Sequence, residues 1–428
     1  MKPSRYNHYL GFINKKHVYI NGLSRKTVKL TPDEDKLFSS SNFQALKDSF
    51  PDVINYLKQY GFIYPKALDQ FVLIENYLKS MQRNQTYLSA TFILTRQCNF
   101  KCTYCIQGLN KTNSHLTFET ADKYIKYFKN LIKSHPFEKF LITYYGGEPT
   151  LNLPVLKFLH TELNKITSGN NSEISYSLIT NGYLLDKFIK EIDPSEISEF
   201  IITLDGDKKN HNERRKTADN KPSFHRIMNN LSLLPEQSVI LNVNLFNKDS
   251  VSSVIKLLDI LVENNLKKQI KEIHFKPILN NGKFCDYPGI IDYSDINQDL
   301  LYDCNKEALL KDFRVKEYLG GPCEYLYKHT YVLDVNGDIY KCPAMIDSPE
   351  LSIGNISTFS EYPESELNSC FKNECRNCPF LPTCYGGCRF SSYLKFGDPD
   401  KVNCEVGFFN TFGLKIEQLK QIYLKGGD

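Results

Sequence analysis

The chain has 428 residues, 41% of them hydrophobic, and its 53 Lys and Arg against 49 Asp and Glu leave a formal net charge of +4. So even a balance argues against a polyanionic partner and no nucleic acid is expected; no apolar run reaches the roughly 20 residues of a membrane span, so no membrane is expected either. Thirteen cysteines behind a polar, charged N-terminal stretch read as metal-binding thiols in a reducing cytoplasm, not as the disulfides of a small secreted domain.

Residues 1–87 read as a small α+β module. Tyr9–Ile13 and His17–Ile20 are predicted strands around a Lys-Lys turn, with Thr27–Leu30 as a third, because apolar and polar residues alternate. Thr31-Pro32-Asp33-Glu34-Asp35 is a helix start, with a Thr cap, Pro in the first turn and early acids. Asp52–Tyr60 carries a helical stripe of Val53, Tyr56, Leu57 and Tyr60 and stops at Gly61.

From Thr91 the pattern becomes strand, loop, helix, repeated. The predicted strands are Thr91–Thr95, Phe140–Tyr144, Ile174–Ile179, Phe200–Leu204, Val239–Leu245 and Ile270–Phe275. The predicted helices between them are Phe118–Ile132, Leu153–Ile166, Leu184–Ile192, Phe224–Leu234 and Val251–Asn264. This alternation argues for an α/β fold with a parallel sheet, either open or partly closed into a barrel. In both, functional groups gather at the carboxyl ends of the strands.

The motifs fall at those ends. Cys98, Cys102 and Cys105 form a Cys-x3-Cys-x2-Cys loop after the first strand. Three thiolates so close can hold three irons of a [4Fe–4S] cluster and leave the fourth open to a substrate or cofactor, whereas a structural zinc site closes all four positions. After the second strand comes Tyr145-Gly-Gly-Glu-Pro149, where Gly146 and Gly147 let a ligand approach the backbone and Glu148 offers a carboxylate to an ammonium. The third strand ends in Thr180-Asn181-Gly182, and the fourth in Leu204-Asp205-Gly206, followed by His211 and the pair Arg214-Arg215. Singly these are ordinary turns and a solvated charge pair; together, at successive strand ends, they mark a site.

From residue 316 the alternation stops and cysteines become dense. Cys323 precedes a predicted hairpin, Tyr331–Tyr340 with an Asn-Gly turn, and Cys342 follows it. Then come Cys375-x2-Cys378-x5-Cys384-x3-Cys388 and Cys404, and a last amphipathic helix, Thr411–Leu424. Zinc knuckles are the competing reading, since Cys-x2-Cys is a common zinc half-site, and they would make the chain a zinc-stabilised, non-enzymatic binding protein.

Over residues 88–410 the chain resembles the radical S-adenosylmethionine (SAM) superfamily, specifically members with a C-terminal SPASM domain. The Cys-x3-Cys-x2-Cys loop with the GGEP, TNG and LDG strand ends carries one half of the resemblance. The other half is Cys323, then 13 residues to Gly337, four more to Cys342, and the five later cysteines. The resemblance implies a partial (β/α)6 TIM-like barrel over 88–315 and a SPASM domain over 316–428. It implies SAM chelated to the open iron of the Cys98, Cys102 and Cys105 cluster and cleaved to a 5′-deoxyadenosyl radical. Gly146, Gly147 and Glu148 would meet the methionine amino end and Tyr104 the adenine, with Asn181 and Asp205 near the ribose. Arg215, or Arg214 in its place, would pair with the methionine carboxylate.

It further implies two auxiliary [4Fe–4S] clusters, three in all. Cys375, Cys378, Cys384 and Cys404 would hold one; Cys323, Cys342 and Cys388 would give the other three ligands. Where some relatives add a fourth cysteine this chain has Glu317, so either Cys304 completes that cluster or one iron stays open. Cys285, Cys370 and otherwise Cys304 read as ordinary thiols. The resemblance also implies an electron donor such as flavodoxin or ferredoxin.

Enzymes of this kind commonly modify peptides. The leading expectation is a maturase of a ribosomally synthesised precursor peptide, installing a thioether, a carbon–carbon crosslink or an epimerised residue. Residues 1–87 resemble a reduced leader-recognition domain, which binds by adding a strand to a sheet edge. The alternative is a sulfatase-maturating type, oxidising Cys or Ser to formylglycine. Those relatives carry an Asp base after the cysteine that matches Cys342, where this chain has Pro343; Asp338 and Glu324 are unranked substitutes.

Overall fold

The structure is a computed structural model that describes residues 1–428 except 84, 106–111, 248, 279–297, 361–372 and 425–428. Strands β1 (Lys2–Pro3), β2 (Asn7–Ile13), β3 (Lys16–Asn21) and β4 (Thr27–Leu30) open the chain, the last three forming an antiparallel sheet in the order β2-β3-β4. The β2–β3 turn is Asn14-Lys15 rather than Lys15-Lys16, both residues at positive φ of 50° and 64°. Asn tolerates that conformation better than most residues, and a turn with two positive φ angles follows the twist of the strands.

At the helix Pro32–Ser39 the expected cap is a full capping box: Glu34 N–H donates to Thr31 Oγ1, and Thr31 N–H to Glu34 Oε2 at 2.7 Å. The helices Phe43–Ser49 and Pro51–Gln59 follow, then β5 (Ile63–Tyr64), which pairs with β1, and the helix Gln70–Arg83. One face of the small sheet, through Val28 and Leu30, packs on Phe38, Leu46, Ile54, Leu57 and Phe62. The other, through Leu10, Val18 and Ile20, joins the main core together with Ile416 and Leu419 of the last helix, Leu414–Tyr423.

The main sheet begins with β6 (Tyr87–Ile93), followed by the short β7 (Phe100–Cys102). Then come β8 (Lys139–Tyr145), β9 (Glu173–Thr180), β10 (Ile197–Thr203), the short β11 (Arg215–Thr217), β12 (Val239–Leu245) and β13 (Ile270–Pro277). Six of these lie parallel in chain order, β6-β8-β9-β10-β12-β13. Helices Phe118–Ser134, Leu153–Asn170, Leu185–Phe188, Phe224–Leu231 and Asp249–Glu263 connect them. This is the expected α/β unit, with the third helix shorter than the predicted Leu184–Ile192.

The hairpin β14 (Thr330–Leu333) and β15 (Asp338–Tyr340), with β16 (Gly354–Asn355), does not stand apart. Strand β14 pairs parallel with β6, making a nine-stranded sheet in the order β13-β12-β10-β9-β8-β6-β14-β15-β16. The last helical stretch begins at Val406, earlier than expected, and passes through a π turn, Phe409–Gly413. No described helix is long and apolar enough to cross a membrane.

Candidate active site

A cavity of about 500 Å³ lies at the carboxyl ends of the parallel strands. Cys98, Cys102 and Cys105 line it together with Tyr104, Gly146, Gly147, Asn181 and Arg215, so most of the residues expected at strand ends meet at one place. The cysteine loop is held by the Gly-Gly turn after β8: Gly147 N–H donates to Thr95 O at 2.8 Å and Glu148 N–H to Gln97 O at 2.9 Å. A Cβ on Gly146, whose φ is 142°, would lie 2.4 Å from Thr95 O, and one on Gly147 would lie 2.2 Å from Gln97 O. The two glycines therefore seat the loop against β8 as well as bordering the cavity.

Glu148 is placed differently from the expectation that it meets a ligand's ammonium. It is fully buried, is not among the residues lining the cavity, and accepts four hydrogen bonds. Its Oε1 takes Thr150 N–H at 3.2 Å, Thr150 Oγ1 at 2.6 Å and Thr180 Oγ1 at 2.7 Å, and its Oε2 takes Asn181 N–H at 2.8 Å. Burial raises its pKa and these hydrogen bonds pull it back. The carboxylate thus joins the end of β8 to the end of β9 and orients Asn181. The Asn181 side chain in turn donates to Asn99 Oδ1 at 2.7 Å, beside Cys98.

Tyr104, Asp205 and Arg215 form a buried knot. Arg215 Nη1 donates to Tyr104 Oη at 2.6 Å, Tyr104 Oη donates to Asp205 Oδ2, and Asn244 Nδ2 donates both to Tyr104 Oη at 3.0 Å and to Asp205 Oδ1 at 2.9 Å. Asp205 sits behind the lining residues. Burial pushes the Tyr104 phenol well above its ordinary pKa, Arg215 opposing and Asp205 adding, so it keeps its proton. For Arg215 burial disfavours the charge, but Cys102, Tyr104 and Asp205 outweigh it and hold the guanidinium firmly protonated. Strand β11 pairs antiparallel with β7 and sets Arg215 opposite Cys102.

The two arginines are thereby separated: Arg215 lines the cavity, whereas the Arg214 guanidinium lies over the Phe246 ring at 3.8 Å from its centroid.

The wall contributed by β12 and β13 holds residues that sequence reasoning missed, namely Asn242, Asn244, His274 and Lys276. Their signal was available: polar side chains two apart on otherwise apolar strands mark one face. His274 pairs with Glu272, which stands on the same strand face. Burial, with Lys316 adding to it, lowers the Lys276 ammonium to about 8.

Cys342, Pro343 and Ala344 close the cavity from the C-terminal part. The thiols there fall into two sets. Burial pushes Cys342 up to about 12, with Cys323 and Cys388 adding to the rise. Burial likewise pushes Cys375 up to about 11, with Cys378 and Cys404 adding, and Cys384 up to about 12, with Glu405 and Cys378 adding. Cys304 is fully buried in the helix Gln298–Leu310 and packs in the main core, where Asp303 and Glu307 are the charges that act on it. Cys285 and Cys370 lie outside the described residues.

Among the described residues no three His, Cys, Asp or Glu side chains converge as the ligands of a single metal ion do. The thiolates of a cubane each take a different iron, a wider arrangement. Three thiols on one rim, no carboxylate among the described lining residues, and an Arg215 Nε buried with no hydrogen-bond partner together fit an iron–sulfur cluster beside an anionic ligand.

Residues 92–261 match the radical SAM superfamily. The chain is 26% identical over 366 residues to a cysteine-type anaerobic sulfatase-maturating enzyme of Clostridium novyi (strain NT), covering 76% of this chain and 94% of that protein. Among solved structures it shares the fold of anSMEcpe with bound AdoMet, with a TM-score of 0.58 at 20% identity over 79% of this chain and 99% of that one. It likewise shares the fold of Streptococcus suis SuiB bound to precursor peptide SuiA, with a TM-score of 0.53 at 14% identity over 95% of this chain and 99% of that one.

Proposed function

We propose that this chain, an enzyme whose residues 92–261 form a radical SAM domain, is a maturase of a ribosomally synthesised precursor peptide. What carries the reading is the double lining of the cavity: Cys98, Cys102 and Cys105 on one side, Cys342-Pro343-Ala344 on the other. A peptide side chain entering between them would stand near both thiol sets.

When bound, a [4Fe–4S] cluster and SAM supply hydrogen-atom abstraction. Cys98, Cys102 and Cys105 would hold that cluster. Arg215, with its Nε still unpaired, would take a carboxylate in the planar manner of a guanidinium, and Gly146, Gly147 and Asn181 would border the bound molecule. Ile179, Ile201 and Ile240 line the same cavity and would keep water from the reacting centre. Two further clusters would occupy the C-terminal thiol sets, the Cys323, Cys342 and Cys388 set without a fourth cysteine. Reduction would come from a small electron-transfer protein such as flavodoxin or ferredoxin.

Leader binding falls to residues 1–87. Strand β2 is an outer strand of the small sheet and exposes Tyr9 and Phe12, a surface that suits strand addition. The likeness to SuiB extends over a larger share of this chain, 95%, than the likeness to anSMEcpe, 79%, and so takes in residues of the N-terminal module.

The sulfatase-maturating reading is favoured by the Clostridium novyi relative. Pro343, standing where those relatives carry the Asp base, weighs against it, and no Asp or Glu is among the described residues that line the cavity. The test is a search for a small open reading frame beside the gene, then anaerobic incubation of the reconstituted enzyme with SAM and dithionite, with either a precursor peptide so found or a sulfatase peptide carrying Cys or Ser. The reading expects the precursor to lose hydrogen or change chirality, and expects Tyr9→Ala/Phe12→Ala to weaken precursor binding while leaving SAM binding intact. A hydroxylamine-trappable aldehyde on the sulfatase peptide, with an unaltered precursor, would replace it with the alternative.

A further inference from the structure

His211 is fully buried, and its two ring nitrogens have assignable roles. Asp205 N–H reaches His211 Nδ1 at 3.3 Å. A backbone amide only donates, so Nδ1 accepts and the ring proton sits on Nε2. His211 Nε2 lies 2.9 Å from Ser223 Oγ, and Ser223 Oγ donates to Arg215 O at 2.7 Å. Each proton in this chain has one destination. Burial, followed by the nearby Arg215 charge, holds the imidazole pKa well below its ordinary value, as this single tautomer needs.

The path closes on itself. The Arg215 side chain donates to Tyr104, and Tyr104 donates to Asp205. The Asp205 backbone donates to His211, His211 to Ser223, and Ser223 to the Arg215 carbonyl. Arg215 N–H adds a second link by donating to His211 O. Four residues, Tyr104 and three from the 205–223 stretch, thus hold one arginine by its backbone and by its side chain, while its Nε stays unpaired.

We propose that His211 and Ser223 are positioning residues for Arg215, setting the stance of its guanidinium and through it the affinity for the carboxylate of SAM. The inference rests on the functional reading above. Neither residue lines the cavity, so neither is expected to touch the ligand.

The experiment measures SAM binding to the reconstituted holoenzyme at equilibrium, alongside iron and sulfide content and the electron paramagnetic resonance of the reduced clusters without SAM. Ser223→Ala should weaken SAM binding about tenfold, a modest hydrogen-bond effect, with iron content and the SAM-free spectrum unchanged. Ser223→Thr, which keeps the hydroxyl, should bind as the wild type does. In an Arg215→Lys background, Ser223→Ala should weaken binding no further, because the ring acts through the guanidinium.

Unchanged affinity in Ser223→Ala, an equal loss in the Arg215→Lys background, or a folded Ser223→Thr variant that binds as poorly as Ser223→Ala would each overturn the proposal. A wild-type holoenzyme that retains its iron but binds no SAM would overturn the functional reading beneath it.

Discussion

Glu148 is a fully buried carboxylate with four donors, and such a residue holds structure before it does chemistry. Glu148→Ala leaves two hydroxyls and two N–H groups without their acceptor. At about 1–3 kcal/mol for an unsatisfied buried group, and allowing for partial rearrangement, the variant should lose at least about 3 kcal/mol in urea denaturation. Glu148→Gln should lose less, since it keeps one carbonyl acceptor; equal stability of wild type and Glu148→Ala would refute the structural role. Lys276 makes a prediction of the opposite sign. Its ammonium is lowered from 10.5 to about 8, so between those values the unfolded chain binds more protons and stability rises with pH. Below about pH 8 the burial penalty is fully present. Lys276→Met should therefore stabilise the protein at pH 7, and the gain should shrink toward pH 10; a gain independent of pH would contradict this.

The elements were legible where a local pattern announces them. All six parallel strands and the capped helix at Thr31 could be read from periodicity and cap residues. The helices Gln70–Arg83 and Gln298–Leu310 escaped that reading. The pairing of β14 with β6 joins residues far apart in the chain, which no local pattern reports. The site was legible for the same reason: motif residues at strand ends were found, while Asn244 and Lys276 inside strands were passed over although their two-residue spacing from Asn242 and His274 marked one face. Glu148 shows a second limit, because a motif names a residue without saying whether its side chain faces the cavity or the frame behind it.

His8 carries the prediction that belongs to this scale. It lies on β2 and stacks on Phe380 at 4.4 Å between centroids, with its Nε2 buried and unpaired. Burial lowers its pKa from 6.5 to about 4. As pH falls between those values the unfolded chain takes up the proton first, so up to about 3 kcal/mol of stability is lost. His8→Phe keeps the stack and should flatten stability between pH 6.5 and 4; an unchanged pH profile would assign the acid sensitivity elsewhere.

At the scale of the whole molecule, the cysteine loop and the C-terminal part are one mechanical unit. Arg96, two residues before Cys98, grips Asp334 through two hydrogen bonds of 3.0 and 2.7 Å, donates to Ile346 O at 3.0 Å, and pairs with Asp347. Asp334 follows β14, and Asp347 lies five residues beyond Cys342. Breaking a buried pair of this kind costs about 3–5 kcal/mol. Arg96→Ala should therefore lower stability by that order and make the C-terminal part easier to cleave in limited proteolysis, with Arg96→Lys intermediate. A cleavage pattern identical to that of wild type would mean that the sheet pairing alone binds the two parts. The same continuity lets one cavity collect thiols from Cys98 and from Cys342.

That cavity is tested most directly by reconstituting wild type and Cys98→Ala/Cys102→Ala/Cys105→Ala anaerobically, then measuring bound iron and the 5′-deoxyadenosine formed from SAM after dithionite reduction. The account predicts a brown wild-type protein with roughly twelve irons if three cubanes form, producing 5′-deoxyadenosine, and a triple variant that keeps about two-thirds of the iron and produces none. Continued 5′-deoxyadenosine formation in the triple variant, or a colourless zinc-containing wild type that forms none, would contradict it.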